Sequence, residues 1–266
     1  MLSADTYDIR TPIMNSPEYA SPPTPEHQPV MLAEVVDFLQ PQKGERALDL
    51  TIGLGGHARE IGEALGSSGL LVGIDADRDA LEVAKRRLRG ELPCEVRLFH
   101  GRFSEAPELV EKLEIKGFDA ILADLGVGSH QLDDESRGFS FESDARLDMR
   151  YDPSAGSSAW DLVNEASEER LAEIFWELGE ERYSRQIAGE ICRQRKDHSI
   201  DTPRKLAEIA KRVYARRGSG RRWRIHPATR IIMALRIHVN GELKELDALL
   251  AAIPGLLMKG GRVAIL

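Results

Sequence analysis

Cysteine is scarce: the 266-residue chain has two, Cys94 and Cys192, with no C-x-x-C pair and no histidines clustered at ligand spacing. That spacing supports neither a disulfide framework nor a metal site, and both thiols read as ordinary buried residues. No run approaches the ~20 apolar residues that span a bilayer. The N-terminus also lacks the basic-then-apolar order of a secretory signal, so a cytoplasmic protein with no membrane partner is expected. An excess of positive charge is missing too. Against 36 basic residues stand 44 acidic ones, a formal net charge of -8, which argues against a protein that coats nucleic acid nonspecifically. What is present is a 42% hydrophobic composition, enough to bury the core of one elaborated domain or two small ones.

One stretch reverses the average charge. Between Lys211 and Arg224, "KRVYARRGSGRRWR" carries seven basic residues and no acid. A solvated helix end followed by a loop would account for the charge alone. Tyr214 and Trp223 are interleaved with it, however, and aromatic rings can stack on bases, which turns the reading toward phosphate or RNA contact.

Residues 1–26 hold Pro12, Pro17, Pro22, Pro23 and Pro25 among small polar residues, the composition of a disordered leader. From "HQPVMLAEVVDFLQP" onward the pattern becomes periodic: a helix over about Met31 to Leu39, "RALDL" as a strand, a glycine turn, and a helix to about Leu65. "LLVGID" and "EVRLFH" read as the second and third strands. The helix "RDALEVAKRRL" lies between them, a further helix capped by Ser104 follows, and "FDAILADLG" is the fourth strand. This alternation predicts an α/β fold with a doubly wound parallel sheet.

After Gly126 the alternation stops for about a hundred residues. "DDESRGFSFESDARLDMRYDPSAG" reads as a long polar loop, and stretches near 158–165, 167–178, 180–194 and 203–216 have helical period with no strand between them. Strand character returns at "GGRVAIL", after the helix "ELKELDALLAAIPGLL". The expected domains are the leader 1–26, a sheet core over 27–132 and 238–266, and an all-helical insertion over 133–237. Because the sequence ends at Leu266, inside what reads as a central strand, C-terminal strands are expected to be missing and the chain to be a fragment or a truncated product.

The turn "DLTIGLGGHA", residues 49–58, raises the question of the ligand. Gly53, Gly55 and Ala58 satisfy the loose G-x-G-x-x-G/A spacing of a dinucleotide site, and Asp75, ending the second strand, fits the acid that takes a ribose hydroxyl. An NAD-dependent oxidoreductase would place a pyrophosphate on the helix N-terminus. S-adenosylmethionine presents the same ribose to Asp75, but an ammonium, a carboxylate and a sulfonium in place of the pyrophosphate. Asp49 and Asp124, ending the first and fourth strands, set negative charge at the mouth that suits those cations and repels a pyrophosphate. Asp49 alone reads equally well as a turn cap; three carboxylates at strand ends favour the cationic ligand. His57, at the start of the helix, is assigned to cofactor contact rather than catalysis.

The strings "HQPVML", "GLGGH", "HGRFS", "DLGVGSHQLDD", "RGFSF", "LDMR", "GEERYSRQIA" and "IHPATRIIMALRIHVNGEL" follow one another along the chain. In that order and spacing the chain resembles the RsmH family, formerly MraW, of 16S ribosomal RNA cytosine-N4 methyltransferases, over nearly everything from His27 to Leu266. The glycine turn is unspecific; "DLGVGSHQLDD" and the last string carry the likeness. The resemblance implies a class I, Rossmann-like methyltransferase core with a helical domain inserted after the fourth strand. It implies S-adenosylmethionine contacts at Gly55, Gly56, His57, Asp75, Phe103, Asp124 and Gln131. Gly128 and His130 stand where the family usually has serine and proline, and Gly241 stands where an acid is common.

The same resemblance implies methyl transfer to the exocyclic N4 of a cytidine, position 1402 of 16S rRNA, in the 30S subunit. Asp124 and the backbone carbonyls of the 124–131 loop are the candidate acceptors of the amine's hydrogens, and no metal is called for. The inserted domain becomes the candidate RNA clamp, with Arg217, Arg221, Arg222, Arg224 and Arg230 meeting phosphate. Two other readings stand beside this one: a non-catalytic RNA-binding or ribosome-assembly module, and an NAD-dependent oxidoreductase, which leaves "DLGVGSHQLDD" unexplained. The sequence leaves the oligomeric state open, a dimer included.

Overall fold

The computed structural model describes Thr6–Asp8 by backbone, and then residues 29–216, Trp223 and 225–266. In chain order its elements begin with β1 (Thr6–Asp8), α1 (Leu32–Leu39), β2 (Arg46–Asp49), α2 (Gly56–Leu65), β3 (Leu70–Asp75), α3 (Arg78–Leu88), β4 (Glu95–His100), α4 (Ala106–Lys112) and β5 (Phe118–Ala123). They continue with α5 (Ser129–Asp133), α6 (Ala159–Glu165), α7 (Glu168–Glu177), α8 (Ser184–Gln194), α9 (Pro203–Arg216), α10 (Thr229–Asn240), α11 (Glu242–Leu256) and β6 (Leu257–Ile265). The described residues fold as two compact units, one up to Gly126 together with Lys244–Leu266, the other Val127–Leu243.

The first unit is a sheet of order β1-β4-β3-β2-β5-β6, parallel throughout except for β1, which pairs antiparallel with β4. Its central strands β2, β3 and β5 bury apolar residues on both faces, as a parallel sheet covered on both sides requires. One face sets Ala47, Leu71, Val96, Leu98, Ala120 and Leu122 against Val35 and Leu39 of α1, Ile61 and Leu65 of α2, and Leu81 and Leu88 of α3. The other sets Leu48, Val72, Phe99, Phe118 and Ile121 against Ala106 and Leu109 of α4 and Leu249 and Leu256 of α11. Asp77 starts α3 by accepting from the Asp79 and Ala80 N–H groups at 3.1 and 3.4 Å, which is why this helix begins where the sequence pattern places it.

Four expectations from the sequence are corrected. Thr6–Asp8, inside the residues read as a structureless leader, pairs with Arg97–Phe99 at the sheet edge. Ser104 caps nothing: it lies in a 3-10 turn, Phe103–Glu105, and its N–H donates to Glu245 at 3.3 Å. The long "polar loop" of the second unit supplies Phe139, Leu147 and Met149 to a core shared with Leu171, Phe175, Ile187 and Leu235. Asn240 fixes it there, donating to the Met149 carbonyl at 2.8 Å and accepting from Tyr151 N–H at 2.8 Å. Finally, α8 begins only at Ser184. Glu180 takes a left-handed φ of 49°, and the fully buried Glu181 carboxylate accepts from Tyr183 N–H and Tyr214 O–H. Of the two cysteines, Cys94 is buried and Cys192 half-buried, both free thiols.

Arg262 of β6 closes the first unit's lower edge. Its guanidinium donates to the Leu39 and Gln40 carbonyls at 2.7 and 3.0 Å and pairs with both Glu45 carboxylate oxygens at 2.9 and 2.6 Å. These bonds hold the Glu45 carboxyl below its ordinary range, so the pair contributes stability above that range and loses it as pH falls through the lowered value. Arg262→Met should lower unfolding stability by roughly 1–3 kcal/mol at neutral pH. The difference from wild type, followed by thermal unfolding, should narrow once Glu45 is protonated; a constant gap down to acid pH would rule out the ion pair as its source.

Candidate cofactor site

The sheet reverses its winding between β2 and β5, and a doubly wound sheet opens a crevice at the carboxyl ends of the strands there. The hydrogen bonds show how. Leu50, one residue past β2, still donates to the Leu122 carbonyl of β5 at 2.9 Å, whereas Ile52 donates to the Ile74 carbonyl of β3 at 3.1 Å. Within two residues the chain has crossed from one neighbour to the other. Gly53 N–H then donates to Asp75 Oδ2 at 2.7 Å, and Gly55 N–H closes the turn on the Ile52 carbonyl at 2.8 Å. Gly55 has φ 85°, left-handed backbone that glycine adopts without strain. Gly56 begins α2 packed on Pro29: a Cβ there would lie 2.4 Å from the proline Cγ. His57 is buried, its Nε2 3.0 Å from the Val30 carbonyl. The side-chain faces of Gly56 and His57 therefore meet residues 29–30, and what they offer a ligand is backbone N–H at the start of α2.

Three carboxylates stand at the carboxyl ends of neighbouring strands: Asp49 ends β2, Asp75 ends β3 and Asp124 follows β5. Asp49 is 1% exposed and accepts from Thr51 N–H at 3.1 Å. Burial, opposed by that hydrogen bond and reinforced by the charges of Asp75 and Asp124, pushes its carboxyl up to about 7. Asp75 accepts from Gly53 and Asp77 N–H at 2.7 and 2.9 Å. Burial still raises it to about 6 against those bonds. Asp124, just past β5, is also raised by burial, while the nearby His57 pulls it down. Such a cluster is starved of positive charge. It favours a ligand carrying cations and opposes a pyrophosphate, which bears on the dinucleotide alternative. Phe103 opens the 3-10 turn after β4, half-buried against the core of Phe99 and Ile74.

Gln131 belongs to the second unit. It is buried in α5, and its Oε1 accepts from Gly128 N–H at 3.0 Å. Gly128 and His130 are coupled in this loop. A Cβ on Gly128 would fall 2.5 Å from Cε1 of the His130 ring, so that ring occupies the space a serine at 128 would need.

Of the expected RNA-contacting residues, Arg217, Arg221, Arg222 and Arg224 lie outside the described residues. Arg230, in the first turn of α10, donates to the Glu180 carbonyl at 2.6 Å and so joins two helical segments of the second unit. Tyr214, read from the sequence as a stacking ring, is instead an anchor. Its hydroxyl donates to Glu181, its ring meets Tyr183 edge-on at 4.8 Å, and burial raises its hydroxyl to about 12. Trp223 meets it edge-on at 6.4 Å. Sequence reasoning overlooked Thr51 and the Pro29–Val30 segment; only the placement of Thr51 two residues after Asp49 hinted at the former.

The model of the MraW methylase family matches residues 24–266. The chain is 51% identical to "Ribosomal RNA small subunit methyltransferase H" of Syntrophotalea carbinolica over 243 residues, 91% of this chain and 76% of that one. It is 46% identical to the protein of the same name from Geotalea uraniireducens, over 90% of this chain and 76% of that one. Among solved structures, TrmN from Thermus thermophilus aligns over 38% of this chain and 29% of its own length, at 22% identity and a TM-score of 0.32.

Folded protein keeps a proton on Asp49 up to about pH 7 that the unfolded chain releases near 3.8. Its presence therefore costs stability progressively as pH rises between those values. Asp49→Asn should match wild type below pH 4 and exceed it at pH 8 by up to about 4 kcal/mol in denaturant unfolding of the ligand-free protein. A difference that does not change with pH would show that Asp49 is not held protonated.

Proposed function

The chain belongs to the MraW methylase family and is an S-adenosylmethionine-dependent methyltransferase; on that premise we propose that it methylates the exocyclic N4 amine of a cytidine, position 1402 of 16S rRNA, in the cytoplasmic small ribosomal subunit. The relatives' shared name supports an rRNA substrate. The observation that carries the chemistry is the meeting of Asp49, Asp75 and Asp124 at the ends of the adjacent strands β2, β3 and β5, where hydrogen bonds to Thr51 and Gly53 tie them together. Their donors and acceptors fit the cofactor: Asp75 for the ribose hydroxyls, Asp49 for the ammonium, Phe103 beside the adenine, and the backbone of Gly55, Gly56 and His57 along the methionyl chain.

When bound, S-adenosylmethionine would supply an electrophilic methyl group on a sulfonium, the S–CH3 bond breaking to leave a neutral thioether. The target amine is a poor nucleophile because its lone pair is delocalised into the ring. Asp124 answers that weakness. As a carboxylate it accepts a hydrogen bond from the N4 amine, aligns the lone pair, and takes the proton released as the N–C bond forms. Burial raises its proton affinity toward that of a competent acceptor. No covalent nucleophile is needed. The base must leave any stack to reach the crevice, and Arg217, Arg221, Arg222, Arg224 and Arg230 are proposed to hold the surrounding phosphates.

Incubating the protein with methyl-labelled cofactor and small subunits lacking the modification should place label on that cytidine; an unlabelled cytidine would sink the substrate assignment. Asp124→Ala should lower turnover by about 10²–10⁴-fold with unchanged circular dichroism, and near-normal turnover would remove Asp124 from the chemistry.

A further inference from the structure

Past Leu50 the parallel ladder between β2 and β5 is due one more rung, and backbone does not make it. With Leu50 donating to the Leu122 carbonyl, continued pairing would set the Asp124 N–H on the Leu50 carbonyl. The chain has already turned toward β3, and the Thr51 hydroxyl oxygen accepts the Asp124 N–H instead, at 2.7 Å. Thr51 N–H meanwhile donates to Asp49 Oδ1 at 3.1 Å, so one residue is bonded to two of the three carboxylate positions. On the opposite side, Leu266 N–H donates to the Ala123 carbonyl at 2.9 Å and Leu125 N–H to the Leu266 carbonyl at 3.1 Å. Asp124 is therefore held toward β6 through both its neighbours, and toward β2 through a single hydroxyl.

We propose that Thr51 is a positioning residue for methyl transfer: its hydroxyl holds the Asp124 backbone, and with it the carboxylate, across the gap that opens where β2 leaves β5. This rests on the reading that Asp124 meets the amine. The side chain suits the task. A β-branched residue has few χ1 choices, so the hydroxyl oxygen is held with little freedom. Valine has the same shape without an acceptor and leaves the Asp124 N–H facing a methyl group, whereas serine keeps the acceptor.

The test compares Thr51→Val with Thr51→Ser by three measurements. These are hydrogen exchange at the residue 124 amide in ligand-free protein, calorimetric Kd for S-adenosylmethionine, and kcat on unmodified small subunits. In the valine variant, exchange at 124 should accelerate by about tenfold or more. Its kcat should fall by about 10–100-fold with Kd close to wild type, the pattern of a displaced reacting group rather than a lost binding contact. The serine variant should stay close to wild type in all three. Unchanged exchange in the valine variant, or equal losses in both variants, would overturn the proposal. Wild-type protein that binds the cofactor yet leaves the rRNA unlabelled would defeat the functional reading instead, with the exchange comparison still deciding whether Thr51 holds Asp124.

Discussion

The parting of β2 from β5 is the constraint on which the rest of the first unit turns. At Leu50 the chain is still bonded to β5, and at Ile52 it is bonded to β3. Everything that makes a site follows from that crossing: the glycine turn carried over β3, the tie from Gly53 to Asp75, and the gap beside Asp124. The crossing is stable because both faces of the strands are packed. Leu48, Val72 and Ile121 lie under α4 and α11, and Ala47, Leu71 and Leu122 lie under α1, α2 and α3. Fixed strands fix their ends, and the ends carry the carboxylates.

Those carboxylates work against the fold. A carboxyl withdrawn from water gives up hydration that one backbone N–H does not restore, and Asp49 receives little else while facing Asp75 and Asp124. A protein selected for stability alone would place an uncharged residue at 49. Its retention is intelligible if the missing positive charge arrives with a ligand, a trade of stability for function seen widely at active sites. The same logic separates the two ligands that the glycine spacing admits, because a pyrophosphate would deepen the imbalance that a sulfonium and an ammonium relieve.

Much of this was legible in the residues, where local chemistry and burial agree. "LLVGID" and "EVRLFH" became β3 and β4, and "RDALEVAKRRL" became α3, each with the expected bounds. The misses share a cause: the deciding partner is distant in sequence. Nothing near Gly56 announces Pro29, and nothing in the helical period of 180–194 announces that Glu181 will be buried under Tyr214. Phe139, Leu147 and Met149 were hidden because an irregular segment has no period to betray which residues turn inward. Thr51 was missed because its role depends on where the Asp124 N–H lies, 73 positions along the chain.

The central claim is that a buried, partly protonated carboxylate cluster receives a cationic cofactor, and proton counting tests it most directly. Calorimetric titration of the protein with S-adenosylmethionine at pH 7, in two buffers of different ionisation enthalpy, measures the protons exchanged on binding. With Asp49 titrating at about 7 in the free protein, the cofactor's positive charge should drive it to the carboxylate and release about half a proton per site. Proton uptake, or a binding enthalpy independent of buffer, would contradict the account.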